Sequence, residues 1–223
     1  MPGASAAIHL KPAADLAERV LLPGDPHRAL AVAQALLEQP KMFNHHRGLW
    51  GYTGTARDGE LLTIQATGMG GPSAAIVVEE LIALGARTFI RIGTCGALTE
   101  RHLIGQLVAV KAAIALDGAS RALGADGRVP ADAALATALA VDAEAVVAAS
   151  VDLFYGDPET GDADVVEMEC ATLFRLAELR GARAAAVLGV SDSLAGERRR
   201  IGAEELEALG IELGEAAWAA LTR

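Results

Sequence analysis

The chain has 223 residues, a formal net charge of −10 and 52% hydrophobic residues, which suits one α/β domain with a large core and excludes a nucleic-acid or polyanion surface. Aromatic residues are only 4%, so that core is built from Ala, Val, Leu and Ile, and any anionic ligand must be held by a few placed arginines. Two cysteines, Cys95 and Cys170, are too few for a disulfide scaffold or a zinc site and suggest a reducing compartment.

Residues 1–7 read as loose. His9, Lys11, Asp15 and Glu18 interrupt the N-terminus, so no signal peptide is expected, and charges break every apolar run before it could span a membrane. The expected location is cytoplasmic. Residues 20–22 form a short strand ending in Pro23-Gly24-Asp25-Pro26, and residues 27–37 have helical spacing. Residues 39–51 read as a polar loop. A hairpin follows, turning at Arg57-Asp58-Gly59.

Residues 61–97 form the unit around which the chain is organised. A strand over 61–67 meets a turn, Gly68-Met69-Gly70-Gly71, and Pro72-Ser73 open a helix that stops at Gly85. A second strand over 88–92 ends in Gly93-Thr94-Cys95-Gly96. This βαβ pattern predicts two glycine turns at the carboxyl ends of neighbouring parallel strands, where open α/β sheets bind ligands. Residues 106–111 give another strand, 116–129 a loop with Asp117-Gly118 and Asp126-Gly127 turns, 131–141 a helix and 145–150 a strand. An acidic, turn-rich loop covers 155–164. Val165 and Val166 lead into Glu167-Met168-Glu169, a helix covers 170–179, an apolar strand 184–190, a basic loop 194–202 and an amphipathic helix 203–221. Strands alternate with helices throughout. The expected fold is therefore a single-domain three-layer α/β/α arrangement, residues 1–223, around a central mixed, mostly parallel sheet.

Arg91 lies inside an apolar strand, where a charge needs a partner. It is read either as a structural ion pair or as a phosphate ligand, and the adjacent Thr94 hydroxyl and backbone donors favour the ligand. Gly24 lets the backbone approach a ligand, and Arg28, one helical turn on, makes the other jaw of the same anion site. Glu167 and Glu169 share a face in an extended backbone. They suit sugar hydroxyls, or they complement the dipole of the next helix, a reading that fits Glu169. Asp192 ends the last apolar strand, as a catalytic group or an N-cap. His45, His46 and Arg47 have no metal-ligand spacing, so no metal is assigned, and Cys95 reads as a packing residue. The turn Gly68-Met69-Gly70-Gly71 lacks the G-x-G-x-x-G spacing and no P-loop exists, which demotes hydride transfer and NTP hydrolysis.

Together these stretches resemble the nucleoside phosphorylase family of bacterial hexameric purine nucleoside phosphorylases and uridine phosphorylases. They are Leu22-Pro23-Gly24-Asp25-Pro26-His27-Arg28, Arg47-Gly48, Thr67 to Ser73, Glu79-Glu80-Leu81, Ile90 to Ala97, Asp152-Leu153-Phe154-Tyr155, Val166-Glu167-Met168-Glu169 and Val190-Ser191-Asp192. The resemblance implies reversible phosphorolysis of a nucleoside, with phosphate as co-substrate and no cofactor. It assigns Gly24, Arg28, Arg91 and Thr94 to phosphate, with Arg47 from a neighbouring subunit. It assigns Met69, Met168 and Glu169 to ribose, with His9 reaching the 5′-hydroxyl of an adjacent subunit's ligand. It lines the base pocket with Phe154, Val166 and Glu167 and makes Asp192 the general acid at purine N7, a role that requires the proton to stay on when substrate is bound. It implies dimers that share sites, usually assembled as a hexamer.

Two signals bear on the base. Gly70-Gly71-Pro72-Ser73, Glu79-Glu80-Leu81, Arg87-Thr88-Phe89, the stretch 116–120 and Thr94 are closer to uridine phosphorylases. Yet the loop after Phe154-Tyr155 is short and lacks the Gln and Arg that bind uracil, and Val190-Ser191-Asp192 follows the purine pattern. The base-contacting residues favour purine. Arg198, Arg199 and Arg200 are candidates to polarise Asp192, with none assigned. Gly48 stands where some uridine phosphorylases have a cation-binding Glu, so no monovalent cation is expected. The rivals are a uridine phosphorylase, a nucleoside hydrolase of the same fold, and a nucleoside-binding protein without turnover.

Overall fold

The computed structural model describes residues 7–156, 159–196 and 198–223; the first six residues, two positions of the acidic loop and Glu197 of the basic loop lie outside the described residues. In chain order the first half comprises β1 (Arg19–Pro23), α1 (Pro26–Leu36), β2 (Leu37–Asn44), β3 (Gly51–Ala56), β4 (Leu61–Gln65), α2 (Gly71–Leu84), β5 (Thr88–Ala97) and β6 (Leu107–Ala115). The second half comprises α3 (Gly118–Ala122), β7 (Arg128–Pro130), α4 (Ala133–Leu139), β8 (Glu144–Ser150), β9 (Val165–Glu167), α5 (Cys170–Arg180), β10 (Arg183–Ser193), β11 (Arg199–Arg200) and α6 (Ala203–Leu221).

The sheet is mixed. Its centre, in the order β10-β5-β1-β4, is parallel, and β3 and β2 extend it antiparallel. On the other side β10 pairs β6, β6 pairs β8, β8 pairs β9, and β9 returns to β5. Five strands thereby close on themselves, which removes sheet edges on that side. Helices α1, α4 and α6 cover one face and α2, α3 and α5 the other, the expected three layers. The central strands are buried on both faces, so they read as continuous apolar runs: Val20, Leu21, Leu22, Phe89, Ile90, Ile92 and Ala184 through Leu188. Gly214 of α6 lets that helix sit against α1, since a Cβ there would lie 2.6 Å from Val32.

Several expectations are corrected. Residues 39–44 are not a loop, because β2 runs to Asn44 as an outer strand beside β3; only residues 45–50 connect the two strands as expected. Its pattern was hidden by Pro40, which an edge strand tolerates, and by an irregular register with Gln39 at φ 45°. The stretch 116–129 contains α3 and β7, and the basic loop contains β11. Strands β4 and β5 are not neighbours, since β1 lies between them. The Gly93-Thr94-Cys95-Gly96 stretch is not a turn; β5 continues through it to Ala97. There β10 pairs one edge throughout, while the other edge is paired by β1 up to Ile92 and by β9 from Gly96. Gly93, Thr94 and Cys95 span the gap in that ladder.

Candidate active site

The carboxyl ends of β1, β4, β5 and β10 open into a cleft of about 760 Å³, the position where open α/β sheets take ligands. Because β1 lies beside β4, the turns after them are tied together: Thr67 N donates to Pro23 O (2.9 Å) and Gly68 N to Gly24 O (3.1 Å). A Cβ on Gly24 would sit 3.2 Å from Gly68 O and 4.0 Å from both terminal nitrogens of Arg91. That glycine keeps the cleft floor open beside the arginine.

Arg91 is buried, and its guanidinium lies over Gly93, where a Cβ would meet Nη2 at 3.0 Å. One nitrogen donates to Glu169, and Nε lies 3.7 Å from Glu167, too far for a hydrogen bond. Nε and Nη1 have no hydrogen-bond partner among the described residues. Burial alone would lower the pKa of this guanidinium, but the charges of Glu169 and Glu167 hold it above its usual range. Arg28 enters from α1, whose N-terminus Asp25 caps through His27 N and Arg28 N. Its stem packs on Gly210 of α6, where a Cβ would lie 3.2 Å from Nε. The pKa of Arg28 is lowered, first by burial and then by the positive charge of Arg91, against the opposing pull of Asp25. Two cations pressed into one end of the cleft, with donors to spare on Arg91, form a seat for an anion. Thr94, in the ladder gap, lines the same end.

Glu167 and Glu169 divide the work differently from the sequence expectation. Glu167 caps α5, accepting from Glu169 N (2.8 Å), Cys170 N and the Ser150 hydroxyl. Ser150 Oγ in turn accepts from Ala171 N (2.9 Å). The helix-terminal role expected of Glu169 therefore belongs to Glu167, because β9 ends one turn before the helix and aims that carboxylate at its free N–H groups. Burial and the neighbouring charge of Glu169 raise the carboxyl pKa of Glu167. Glu169, at the helix boundary, is bound by Gly70 N and Arg91 and borders the cleft together with Glu167, Met168 and Val166. Met69, in the turn after β4, is 85% exposed at the cleft rim.

The opposite end is formed by Phe154 and Tyr155, ring-to-edge at 5.0 Å, and by Asp192. Asp192 does not end its strand, because β10 runs on to Ser193 after a register shift between Val190 and Asp192. The shift opens the ladder beside Ser191, whose hydroxyl donates to Asp192 Oδ2 (2.7 Å). Arg200 of β11 sits opposite Asp192 in the register, with Nε 3.5 Å from Oδ1, and its guanidinium lies 6.0 Å from the Phe154 ring centroid. Arg200 is the member of the three-arginine run that the fold pairs with Asp192. Ser191, Tyr155 and Leu194 also border the cleft and were not singled out as site residues. Ser191 and Tyr155 stand inside motifs already quoted. Leu194 had no sequence signal, because a hairpin back to β11 brings it over Gly96.

His9 and Arg47 do not border this cleft. His9 Nδ1 is 2.7 Å from Glu80, and His46 Nδ1 is 3.0 Å from the His9 carbonyl, which brings the His9 segment beside the Arg47 turn. Arg47 itself takes φ 60° in that turn and is exposed. Cys95 and Cys170 are buried, and burial raises both thiol pKa values, as expected of packing residues.

Residues 18–221 match the family described as the phosphorylase superfamily. The chain is 39% identical over 226 aligned residues to a DeoD-type purine nucleoside phosphorylase of Geobacillus kaustophilus, covering 94% of each protein. It is 38% identical to a DeoD-type purine nucleoside phosphorylase of Caldanaerobacter subterraneus, covering 81% of this chain and 84% of that one. A uridine phosphorylase of Thermococcus kodakarensis is 36% identical, over 79% of this chain and 73% of its own.

Proposed function

This chain belongs to the phosphorylase superfamily, among the nucleoside phosphorylases, and we propose that it is a purine nucleoside phosphorylase. It would cleave purine ribo- and deoxyribonucleosides reversibly to the free base and (deoxy)ribose 1-phosphate. The observation that carries this reading is the pairing of Arg28 with a buried Arg91 whose Nε and Nη1 find no acceptor among the described residues, beside a carboxylate suited to a sugar. A hydrolase has no use for such an anion seat.

In this reading phosphate sits on Gly24, Arg28, Arg91 and Thr94, with Arg47 supplied by a neighbouring subunit. Glu169, with Met69 and Met168, holds the ribose, its carboxylate accepting from the sugar hydroxyls. The C1′–N9 bond loosens first, giving the sugar oxocarbenium character that phosphate stabilises before its oxygen bonds to C1′. The departing purine takes up negative charge, and Asp192 protonates N7. A positioned general acid contributes about 10²–10⁴-fold. Arg200, Ser191 and Phe154 orient Asp192 and the base, and Val166 and Glu167 line the base pocket, Glu167 also fixing α5. Arg200 counters charge developing on Asp192 when the proton leaves. His9 would reach the 5′-hydroxyl in an adjacent subunit, so the working unit is a dimer or a hexamer built from dimers. No cofactor is needed by this chemistry, and the enzyme would act in the cytoplasm.

Phosphate-dependent cleavage of inosine, adenosine and uridine tests the reading. Cleavage of the purine nucleosides that stops when phosphate is withdrawn is the expected result. Cleavage of uridine alone would replace it with the uridine phosphorylase reading, which the Thr94 position and the Thermococcus kodakarensis relative support. Activity undiminished without phosphate would identify a hydrolase.

A further inference from the structure

We propose that Glu80 is a positioning residue for the 5′ end of the nucleoside held by an adjacent subunit, because it fixes both the location and the tautomer of His9. This rests on the reading of His9 given above. Glu80 stands in the Glu79-Glu80-Leu81 stretch, for which phosphorolysis itself offers no use.

The two neighbouring glutamates do different things. Glu79 pairs with Arg180 of α5, a link between two helices. Glu80 instead gathers the segment before β1. Its Oε1 accepts from Ile8 N (3.1 Å) and His9 N (3.0 Å), and its Oε2 accepts from Leu10 N (2.8 Å). His9 Nδ1 then lies 2.7 Å from Oε1. Burial alone would raise the pKa of this carboxyl, but the Leu10, His9 and Ile8 amides and the imidazole outweigh it and hold the group below its usual range. An ionised carboxylate only accepts, so Nδ1 must be the donor. In a neutral imidazole that leaves Nε2 with a free lone pair, the form that accepts a proton from a hydroxyl.

The other end of the same segment is tied to β2, through Lys11 N to Asn44 Oδ1 (2.9 Å) and Ala13 N to Phe43 O (2.8 Å). Between these ties the His9 side chain stays 29% exposed, next to the turn that carries Arg47. A segment held at both ends, with a ring of defined tautomer at its open face, is built to present that ring outside its own subunit.

The test compares a nucleoside with its 5′-deoxy analogue: inosine and 5′-deoxyinosine, or uridine and 5′-deoxyuridine if uridine is the substrate. The kcat/KM for both is measured in the wild-type oligomer, H9A, E80A, E80Q and E79A. The wild type is expected to prefer the 5′-hydroxylated substrate, and H9A to lose that preference. E80A and E80Q should lower the preference about three- to tenfold, the range for one hydrogen bond, with the 5′-deoxy substrate changed less than about twofold. E79A should keep the preference. Equal losses on both substrates in the Glu80 variants would mean a merely structural anchor and overturn the proposal. If H9A alone loses the preference, Glu80 does not act through His9 and only the proposal falls. If H9A keeps the preference, the His9 reading falls and takes the proposal with it.

Discussion

The two ends of the cleft are built in opposite ways. At the anion end, Arg91 lies inside a buried strand paired on both edges up to Ile92, and its carboxylate partners are buried with it. At the base end, Phe154 is 57% exposed, Tyr155 is 92% exposed, and Asp192 faces an arginine on a two-residue strand. The anion end is part of the core, so its geometry is held by the same interactions that hold the fold. The base end is attached to the core by a strand terminus and a loop. With the proposed ligand assignments, a site arranged this way would keep phosphate and sugar in one fixed relation and leave the base-recognising side chains free to differ without disturbing it.

Substitutions at the two ends should separate stability from activity. Arg91→Ala should have the largest effect. It removes the proposed contact to phosphate and the contact to Glu169, the proposed ribose carboxylate, so kcat/KM should fall by about 10⁴-fold, the product of two interactions each worth about 10²-fold. It also strands Glu167 and Glu169 in the core, and urea denaturation should record a loss of about 3–5 kcal/mol. Asp192→Asn should lower kcat on inosine by about 10²–10³-fold, with stability changed by less than about 1 kcal/mol. A loss of stability equal to that of Arg91→Ala would erase the contrast between the two ends. Arg200→Ala should cost about tenfold in kcat, because one charge contact to the acid is lost, and should leave the melting temperature unchanged, because an exposed ion pair contributes little.

The smallest effect concerns pH. Burial and the charge of Glu169 raise the carboxyl pKa of Glu167. A carboxyl that binds its proton more tightly folded than unfolded favours folding below its unfolded pKa of about 4.3, and that contribution is lost as pH rises toward the folded value. Glu167→Gln cannot titrate. The lead of the wild type over Glu167→Gln in urea midpoint should therefore shrink as pH is raised above about 4.3. A lead that grows with pH would show that the capping bonds to Glu169 N and Cys170 N dominate, and that Glu167 belongs with the ordinary stabilising carboxylates.

Much of this arrangement was legible in the chain. The alternation of apolar runs and glycine turns marked the α/β layers, and the N-terminal Pro and C-terminal Gly bounded α2 at Gly71 and Gly85. A charge inside an apolar strand marked Arg91, and the family motifs marked residues that do border one cleft. What misled was local pattern where pairing decides. Gly93-Thr94-Cys95-Gly96 has turn composition, yet β10 holds it extended. The Pro40 stretch has loop composition, yet β3 recruits it as an outer strand. Spacing two gave Glu167 and Glu169 one face, yet β9 ends at Glu167 and the two carboxylates take different partners, the α5 amides for one and Gly70 N with Arg91 for the other.

The sequence by itself determined the family, the layer order and the chemical types at the site, because these depend on residue identity and on periodicities of a few positions. The tertiary structure alone decided that β1 lies between β4 and β5, that Arg200 rather than Arg198 or Arg199 stands opposite Asp192, and that Glu167 caps α5 while Glu169 binds Gly70 N and Arg91. It also decided that Glu80 holds His9. Each of these is a contact between residues distant in the chain. Strand order and register, not local propensity, bring such residues within hydrogen-bonding distance.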